Sequence, residues 1–483
     1  MQYLVIQRIV GLLIMAFGLT LLLPLLIAVV YGDGAERAFL VAFAVTFGTG
    51  TLLWYPVHRK RHELRLRDGF LIVVLFWLTL SLFAALPFML AAPKLAFTNA
   101  LFEAVSGLTT TGATVISGLD TLPHAVLYYR QQLQWLGGMG IIVLAIAVLP
   151  MLGIGGLQIF RADMPGTTKD HRLAPRVTDT AKTLWYIYLN LTILCALAYW
   201  GAGMDLFDAV GHSFSTVATG GFSTHDASLG YFRNLPLVEP IAVLFMFLGG
   251  INFTLHFAAF RQRSLLPYLG DSEVKTYLAL LFAGAVVTSV YLNVTGVYRD
   301  AGEAFSHGIF QAVAIGTTTG FTTDQYYTWP AFIPILLLFG SFIGGCVNSS
   351  AGGMKVIRFL LLLRQGTREI TRLIHPNAVI PIRAGGKSLP DRVIDAIWGF
   401  FAAYVALFAL MLLALMMFGL DQVSAFSAVA ACLNNLGPGI GAVADGYNTI
   451  PEGAKWVLLC AMLLGRLEIF TLLVLFTPTF WRK

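Results

Sequence analysis

The chain has 483 residues, of which 57% are hydrophobic and only 12% charged, and its mean hydropathy is +0.77. A soluble domain carries about 25% charged residues, so the composition excludes a soluble globular protein and indicates one integral to a membrane. The net charge of +6 does not indicate nucleic acid, because 24 of the 31 Lys and Arg fall at Arg8, in 58–68, 161–182, 261–275 and 355–392, and at the C-terminus, in the breaks between apolar runs.

Taken in chain order, apolar runs near the roughly 20 residues that cross a bilayer predict ten full spans, at 10–31, 38–57, 70–92, 128–160, 184–203, 237–260, 276–294, 332–363, 393–418 and 456–480. The first is long and lacks a small-residue cleavage site, which reads as a retained helix rather than a signal peptide. Asp33, Glu36, Asp120, Asp205, Asp226 and Glu452 lie on the side opposite the basic segments. The positive-inside rule then puts both termini in the cytoplasm. Arg59-Lys60-Arg61 reads as topology and anionic-lipid contact, with a docking patch as the alternative.

The tetrapeptide Phe-x-Ala-Val recurs at Phe102, Phe207, Phe310 and Phe426, each time ahead of a short Thr/Asn/Gly-rich run. These runs are Thr110-Thr111-Gly112-Ala113-Thr114, Thr219-Gly220-Gly221-Phe222-Ser223, Thr318-Thr319-Gly320-Phe321-Thr322 and Asn435-Leu436-Gly437-Pro438-Gly439. One such loop is common by chance; four at matching places in a repeat are not. The basic segments divide the chain into a two-helix N-terminal preface, 1–68, and four units, 69–182, 183–272, 273–390 and 391–483, each read as full helix, short helix, loop and full helix. Residues 97–112 align with 305–320 without a gap. The short segments, about a dozen residues long, cannot span. Their loops must face protein or water, since each unpaired backbone group in lipid costs several kcal/mol. Re-entrant pore loops satisfy both demands, with the partially negative helix ends turned toward the loop in a field that favours a cation.

Gly137-Gly138, Gly249-Gly250, Gly344-Gly345 and Gly465 occupy equivalent places on the second full helix of each unit and read first as close helix packing. The third copy differs. Residues 344–353 hold four glycines and three polar side chains, which predicts an unwound stretch in mid-membrane. Arg466, inside an apolar helix, costs from about 2.5 kcal/mol upward at bilayer depth and is expected against the pore or backbone carbonyls. Arg130, nearer a helix end, is expected to snorkel to the interface. Asn252 and His256, one turn apart, are expected to make a polar contact between helices. Cys195, Cys346, Cys432 and Cys460 read as small buried hydrophobes without a disulfide or zinc framework.

An ordered set of longer motifs carries a resemblance: Gly-Leu-Thr-Thr-Thr-Gly-Ala-Thr at 107–114, Gly-Gly-Phe-Ser-Thr-His-Asp at 220–226, Asn-Asn-Leu-Gly-Pro-Gly at 434–439 and Leu-Gly-Arg-Leu-Glu at 464–468. The chain resembles the membrane subunits of bacterial Trk potassium uptake systems, within the Trk/Ktr/HKT superfamily, over essentially its whole length. The resemblance implies an all-α polytopic membrane protein whose four tandem helix–pore loop–helix units stand in pseudo-fourfold arrangement within one protomer. It also implies a homodimer in the bacterial inner membrane and a cytoplasmic ring of nucleotide-binding, TrkA-like regulatory subunits. Carried over residue by residue, it makes Gly112, Gly221, Gly320 and Gly437 the filter glycines. The pore is then obstructed below the filter by a loop containing Gly344, Gly345, Asn348, Ser349, Ser350, Gly352 and Gly353, with Arg466 as the arginine of the last pore helix.

Potassium must exchange its hydration shell for protein oxygens at little net cost, and rings of backbone carbonyls do this. Glycine admits the backbone conformations that aim consecutive carbonyls at one axis. The expected ligand carbonyls are the two before each filter glycine: Thr110, Thr111, Thr219, Gly220, Thr318, Thr319, Asn435 and Leu436. No loop carries an acidic side chain, as a divalent-selective ring would. In the superfamily, glycine in all four filters goes with potassium and serine in the first with sodium, so potassium is the expected transported ion, with no covalently bound cofactor.

An enzyme is disfavoured. There is no phosphate-binding Gly-x-x-x-x-Gly-Lys-Ser/Thr, His62-Glu63 lacks the second histidine of His-Glu-x-x-His, and no strand precedes the glycines at 437–441. A carrier of organic solutes would show paired inverted repeats, whereas these copies are direct. The alternative left open is a sodium-permeable or cation-coupled symporter of the same superfamily.

Overall fold

In a bilayer a chain must satisfy its backbone internally, and these apolar runs do so as helices. The computed structural model describes residues 1–60, 66–147, 174–384 and 387–482. Among the described residues, six helices are long and apolar enough to cross a membrane: Tyr3–Tyr31, Glu36–Val57, Arg67–Leu90, Lys182–Gly201, Ser272–Val294 and Asp391–Met417. Each agrees with an expected span to within four residues at either end, except that the first begins seven residues earlier than expected. The helix His124–Ala147 forms the start of the span expected at 128–160; its second half lies outside the described residues, with most of the 161–182 segment and residues 61–65.

The spans expected at 237–260, 332–363 and 456–480 are all interrupted, although only the middle one was expected to be. Val238–Gly249 and Phe253–Gln262 meet at 98°, and Glu452–Arg466 and Ile469–Phe476 at 111°. The causes are local. After Gly249-Gly250, Asn252 leaves the helical conformation and caps a new helix by accepting from the Thr254 amide at 3.0 Å. Glu468 adopts φ +54, a left-handed conformation that costs an L-residue about 1–2 kcal/mol, and its carboxylate reaches Arg358 at 2.7 Å. His256 bonds the Leu248 carbonyl (3.0 Å) and the Tyr268 hydroxyl (2.8 Å). The expected polar contact between helices is made by His256, whereas Asn252 caps its own helix, so the two act as separate locks on one bend.

Four short helices follow the long ones: Phe97–Leu108, Leu206–Val217, Ala301–Gly316 and Gln422–Leu433. Asp205, Asp300 and Asp421 cap the last three, each carboxylate accepting backbone amides of the first turn. Their middles are buried, as residues 100–108, 209–217 except Val210 and Phe214, 310–315 and 427–433 are. Glycines let the long helices close on them. A methyl group at Gly137, Gly249 or Gly465 would lie within 3 Å of the carbonyl oxygen of Leu108, Val217 or Leu433, the last helical residues of three short helices, which is the packing role expected of them. The same device joins the first two spans, where Gly11 faces Trp54 and Gly50 faces Met15. Arg383–Ala384 and Lys387–Ser388 form a small antiparallel pair before the helix Asp391–Met417.

Large apolar side chains such as Leu52, Phe282, Val294, Leu410 and Met417 are exposed along the spanning helices, where lipid replaces water as their solvent. Cys195, Cys346 and Cys432 are buried as expected, but Cys460 is exposed, because it lies on the outer face of Glu452–Arg466.

Candidate functional site

All four short helices end in one motif. Thr110, Thr219, Thr318 and Asn435 take up φ of +53, +51, +57 and +53. The next residue donates its amide to the carbonyl five positions back: Thr111 to Ser106 (2.9 Å), Gly220 to Ser215 (2.8 Å), Thr319 to Ala314 (2.8 Å) and Leu436 to Ala431 (2.8 Å). Together with the tighter bonds from Thr110 to Gly107 and its three counterparts, this is a Schellman C-cap. Such caps ordinarily place glycine in the left-handed position. Here three are β-branched threonines, a strain of about 1–3 kcal/mol each that persists only where surroundings enforce it and that clusters at functional sites.

The following glycine is left-handed again, at +81, +78, +81 and +98 for Gly112, Gly221, Gly320 and Gly437, while the residue between has negative φ. Alternating handedness turns successive carbonyls to the same side of the chain, unlike the alternation of a strand. The four loops also touch in cyclic order. A methyl group at Gly112 would meet the Gly220 carbonyl, at Gly221 that of Thr319, at Gly320 that of Leu436 and at Gly437 that of Thr111, each at 2.5 Å or less. The cycle returns to its start, so the loops form a closed ring.

The eight carbonyls expected to face an ion are those of Thr110, Thr111, Thr219, Gly220, Thr318, Thr319, Asn435 and Leu436, all on buried residues. Among the described residues, seven accept no hydrogen bond. The exception is Gly220, whose carbonyl accepts from the Gln134 side chain at 2.6 Å while Gln134 accepts from the Phe222 amide at 3.0 Å. Buried carbonyls are ordinarily paired. A closed ring of unpaired ones has the chemistry to supply neutral oxygen ligands to a cation.

Sequence reasoning missed what stands behind the ring. Arg130 does not snorkel. It is 1% exposed and bonds Glu103 (2.8 Å), itself 0% exposed, because Glu103 offers a buried counter-charge that the interface would not. The signal was present in the acidic x of Phe102-Glu103-Ala104-Val105, an uncompensated charge on an otherwise apolar helix. Asn435 closes the ring from the other side, donating its side-chain amide to the Thr111 hydroxyl (3.0 Å) and the Met462 carbonyl (3.0 Å).

Against the ring lies the stretch 344–353, between Ile343 and Val356. Gly344 and Gly353, at φ +70 and +73, pack against each other with no room for a side chain. The stretch is bonded to three units. Ser350 donates to the Val217 (2.8 Å) and Gly249 (3.0 Å) carbonyls, Gly352 donates to the Thr318 hydroxyl (2.6 Å), and Gly353 donates to the Asn434 carbonyl (3.0 Å). Asn348 accepts from the Phe253 amide through its carbonyl, and Ser349 closes a local turn onto Cys346. Gly345 faces the Gly250 carbonyl, which accepts from the Cys346 amide. Arg466, 4% exposed, donates to the Ser350 carbonyl (2.9 Å) and the Gly137 carbonyl (3.2 Å), against backbone oxygens as expected. Glu273, which had no role from sequence, accepts from the amides of Val347 (2.9 Å) and Ile357 (3.1 Å) and so ties both ends of the stretch. The Lys355 ammonium bonds the Ala351 carbonyl.

In the chain leaving the second loop, His225 lies between Asp120 (2.5 Å) and Asp208 (3.1 Å) and stacks on Tyr231. Partial burial pulls its pKa down, but the two carboxylates outweigh that and hold it above the ordinary histidine value. A raised histidine stabilises fully below its unfolded pKa and loses that contribution as pH rises through the folded one. The thermal midpoint is therefore expected to fall across the window just above the ordinary histidine range, and His225→Gln to flatten that fall. Identical pH profiles for the two proteins would refute it.

Residues 35–483 match the family described as TrkH, cation transport protein. The chain is 53% identical over 484 residues, covering 100% of both chains, to the Trk system potassium uptake protein TrkH of Escherichia coli K12. It is 42% identical over 480 residues, 99% of each, to the protein TrkG of the same strain. The crystal structure of the potassium transporter TrkH from Vibrio parahaemolyticus superposes with a TM-score of 0.93 at 53% identity, covering 100% of both chains.

Proposed function

The chain belongs to the TrkH family of cation transport proteins, and on that footing we propose that it takes up potassium across the bacterial inner membrane through the ring of filter loops. The carrying observation is the closed ring with seven unpaired buried carbonyls. Such oxygens replace a hydration shell without a formal charge, which suits a large monovalent ion. The ligands in this reading are the carbonyls of Thr110, Thr111, Thr219, Gly220, Thr318, Thr319, Asn435 and Leu436. The second lone pair of Gly220 remains available beside Gln134. Competition in reconstituted flux tests it: excess sodium is expected to leave potassium uptake largely intact, and equal inhibition by sodium and potassium would favour the sodium-permeable alternative.

The stretch 344–353 is the gate in this reading, held shut by Arg466, and the protein works as a homodimer with both termini in the cytoplasm. A cytoplasmic nucleotide-binding subunit moves the gate. The basic cytoplasmic segments suit such a partner, although Arg172 and most of 59–67 lie outside the described residues. Arg364 and Arg372 are partly exposed on the helix Val356–Ile374, which leads straight out of the gate. Co-purification of that subunit is expected to weaken as salt shortens the screening length from about 10 Å toward 3 Å. Potassium flux indifferent to any cytosolic subunit or nucleotide would count against this part of the proposal.

A further inference from the structure

The variable residue of Phe-x-Ala-Val occupies one place in four helices and carries four chemistries: Glu103, Asp208, Gln311 and Ser427. Each turns toward the chain leaving its own filter. Glu103 accepts from the Val115 amide (3.0 Å) and the Thr114 hydroxyl (3.0 Å), three and two residues past Gly112. Asp208 accepts from the Thr224 hydroxyl (2.6 Å) and bonds His225 (3.1 Å). Gln311 donates to the Phe321 carbonyl (3.4 Å). Ser427 exchanges two bonds with Ile440, donating to its carbonyl (2.8 Å) and accepting from its amide (3.1 Å).

Two of these struts cross to a neighbouring unit: Asp208 through His225 to Asp120, and Glu103 through Arg130. Arg130, paired with Glu103, donates to the Thr114 hydroxyl (3.1 Å) and, across the unit boundary, to the Ser223 carbonyl (2.9 Å). Its guanidinium also lies 4.2 Å over the ring of Phe222, the residue after filter glycine Gly221. One buried ion pair thus holds the outgoing chains of two neighbouring filters. Replacing such a pair by apolar groups is often neutral for stability, so its retention calls for another reason, and fixing register is the best attested one.

We propose that the x residue of each motif is a positioning residue for the outer half of its filter, and that the Glu103–Arg130 pair, by locking the first two loops to each other, contributes to discrimination between potassium and sodium. The physical reason lies in the ring itself. Carbonyls left free for an ion accept no donor from a neighbouring loop, so the loops have little of their own to fix their spacing. The width must come from what stands behind them, and a site is only as exact as that support. The inference rests on the ring being the selectivity filter.

The test is the potassium-to-sodium permeability ratio of the full chain reconstituted in bilayers, with folding followed by gel filtration and thermal unfolding. Glu103→Gln and Arg130→Gln are each expected to lower the ratio by about tenfold, since each strands a buried partner. The double variant leaves no unpaired charge, so it is expected to unfold near the parental temperature and still lose about threefold in the ratio. A merely structural pair would regain the parental ratio in that background. Ser427→Ala, small and uncharged, is expected to lose about twofold, and it carries the test with the double variant where a single charged variant does not fold. Parental ratios in the double variant and in Ser427→Ala overturn the proposal if Gly112→Ser, in the same assay, does lose selectivity. Should Gly112→Ser also keep the parental ratio, the filter reading itself falls and takes this inference with it.

Discussion

Gly112→Ser is expected to cut the potassium-to-sodium permeability ratio by about tenfold or more, and Gly320→Ser to do the same. Two costs coincide at these positions. A residue with a Cβ is strained at φ +81, by about 1–2 kcal/mol, and its Cβ would lie 2.5 Å or less from the carbonyl oxygen of Gly220 or Leu436 in the next loop. Backbone relaxation can relieve the first cost but only by moving that carbonyl, and because the loops touch in a closed cycle the displacement passes into the neighbouring filter. The ion then meets fewer oxygens, unevenly placed, and a smaller ion tolerates that better than potassium. Gly34 supplies the control: it has φ +78 with nothing within 4 Å of a new Cβ, so Gly34→Ser meets the conformational strain without the collision and is expected to leave the ratio unchanged. Bi-ionic reversal potentials measure all three. Unchanged ratios in Gly112→Ser and Gly320→Ser together would dismiss the four-loop filter.

Much of this architecture was legible because a repeat multiplies weak signals. Thr110-Thr111-Gly112 alone says little, but four copies after Phe-x-Ala-Val located every left-handed glycine of the ring. Long apolar helices and the break at 344–353 were equally open to reading, since composition alone decides whether a helix survives there. The bends at Gly250–Asn252 and Leu467–Glu468 were not. Each depends on a side chain finding a distant partner or a cap, Glu468 reaching Arg358 (2.7 Å) and Asn252 accepting from Thr254, and hydropathy runs straight through both. The buried charges escaped for the same reason. Arg130 near a helix end suggests the interface until Glu103, 27 residues earlier, is seen beside it. Glu273 reads as an ordinary first-turn acid until the amides of Val347 and Ile357, 74 and 84 residues later, converge on it.

Removal of residues 346–351, or replacement of Arg466 by alanine, is expected to raise basal potassium flux without loss of selectivity. The stretch against the ring is a poor helix by composition, its glycines costing about 1 kcal/mol each relative to alanine, so it holds its place by bonds to others. Those bonds are few and identifiable. The Arg466 guanidinium grips the Ser350 carbonyl while resting on that of Gly137, and charge-assisted bonds of this kind contribute about 1.5–3 kcal/mol each. Losing the grip on Ser350 should therefore raise the open population by roughly ten- to a hundredfold, within the range that population arithmetic allows for a gate lying mostly closed. Glu273→Ala, which frees the amides of Val347 and Ile357 at both ends of the stretch, is expected to act in the same direction and, more weakly, through neutral donors. None of these changes touches the eight filter carbonyls directly. Gly352 does donate to the Thr318 hydroxyl, yet the Schellman bond from Thr319 to Ala314 still fixes that loop, so the permeability ratio should survive. Flux into potassium-loaded liposomes, read with and without the cytoplasmic partner, separates the outcomes. A deletion that folds and conducts no better than the parent would make residues 344–353 a structural kink and move the gate elsewhere. A deletion that conducts more but admits sodium equally would mean that the stretch props up the filter rather than closing the path below it.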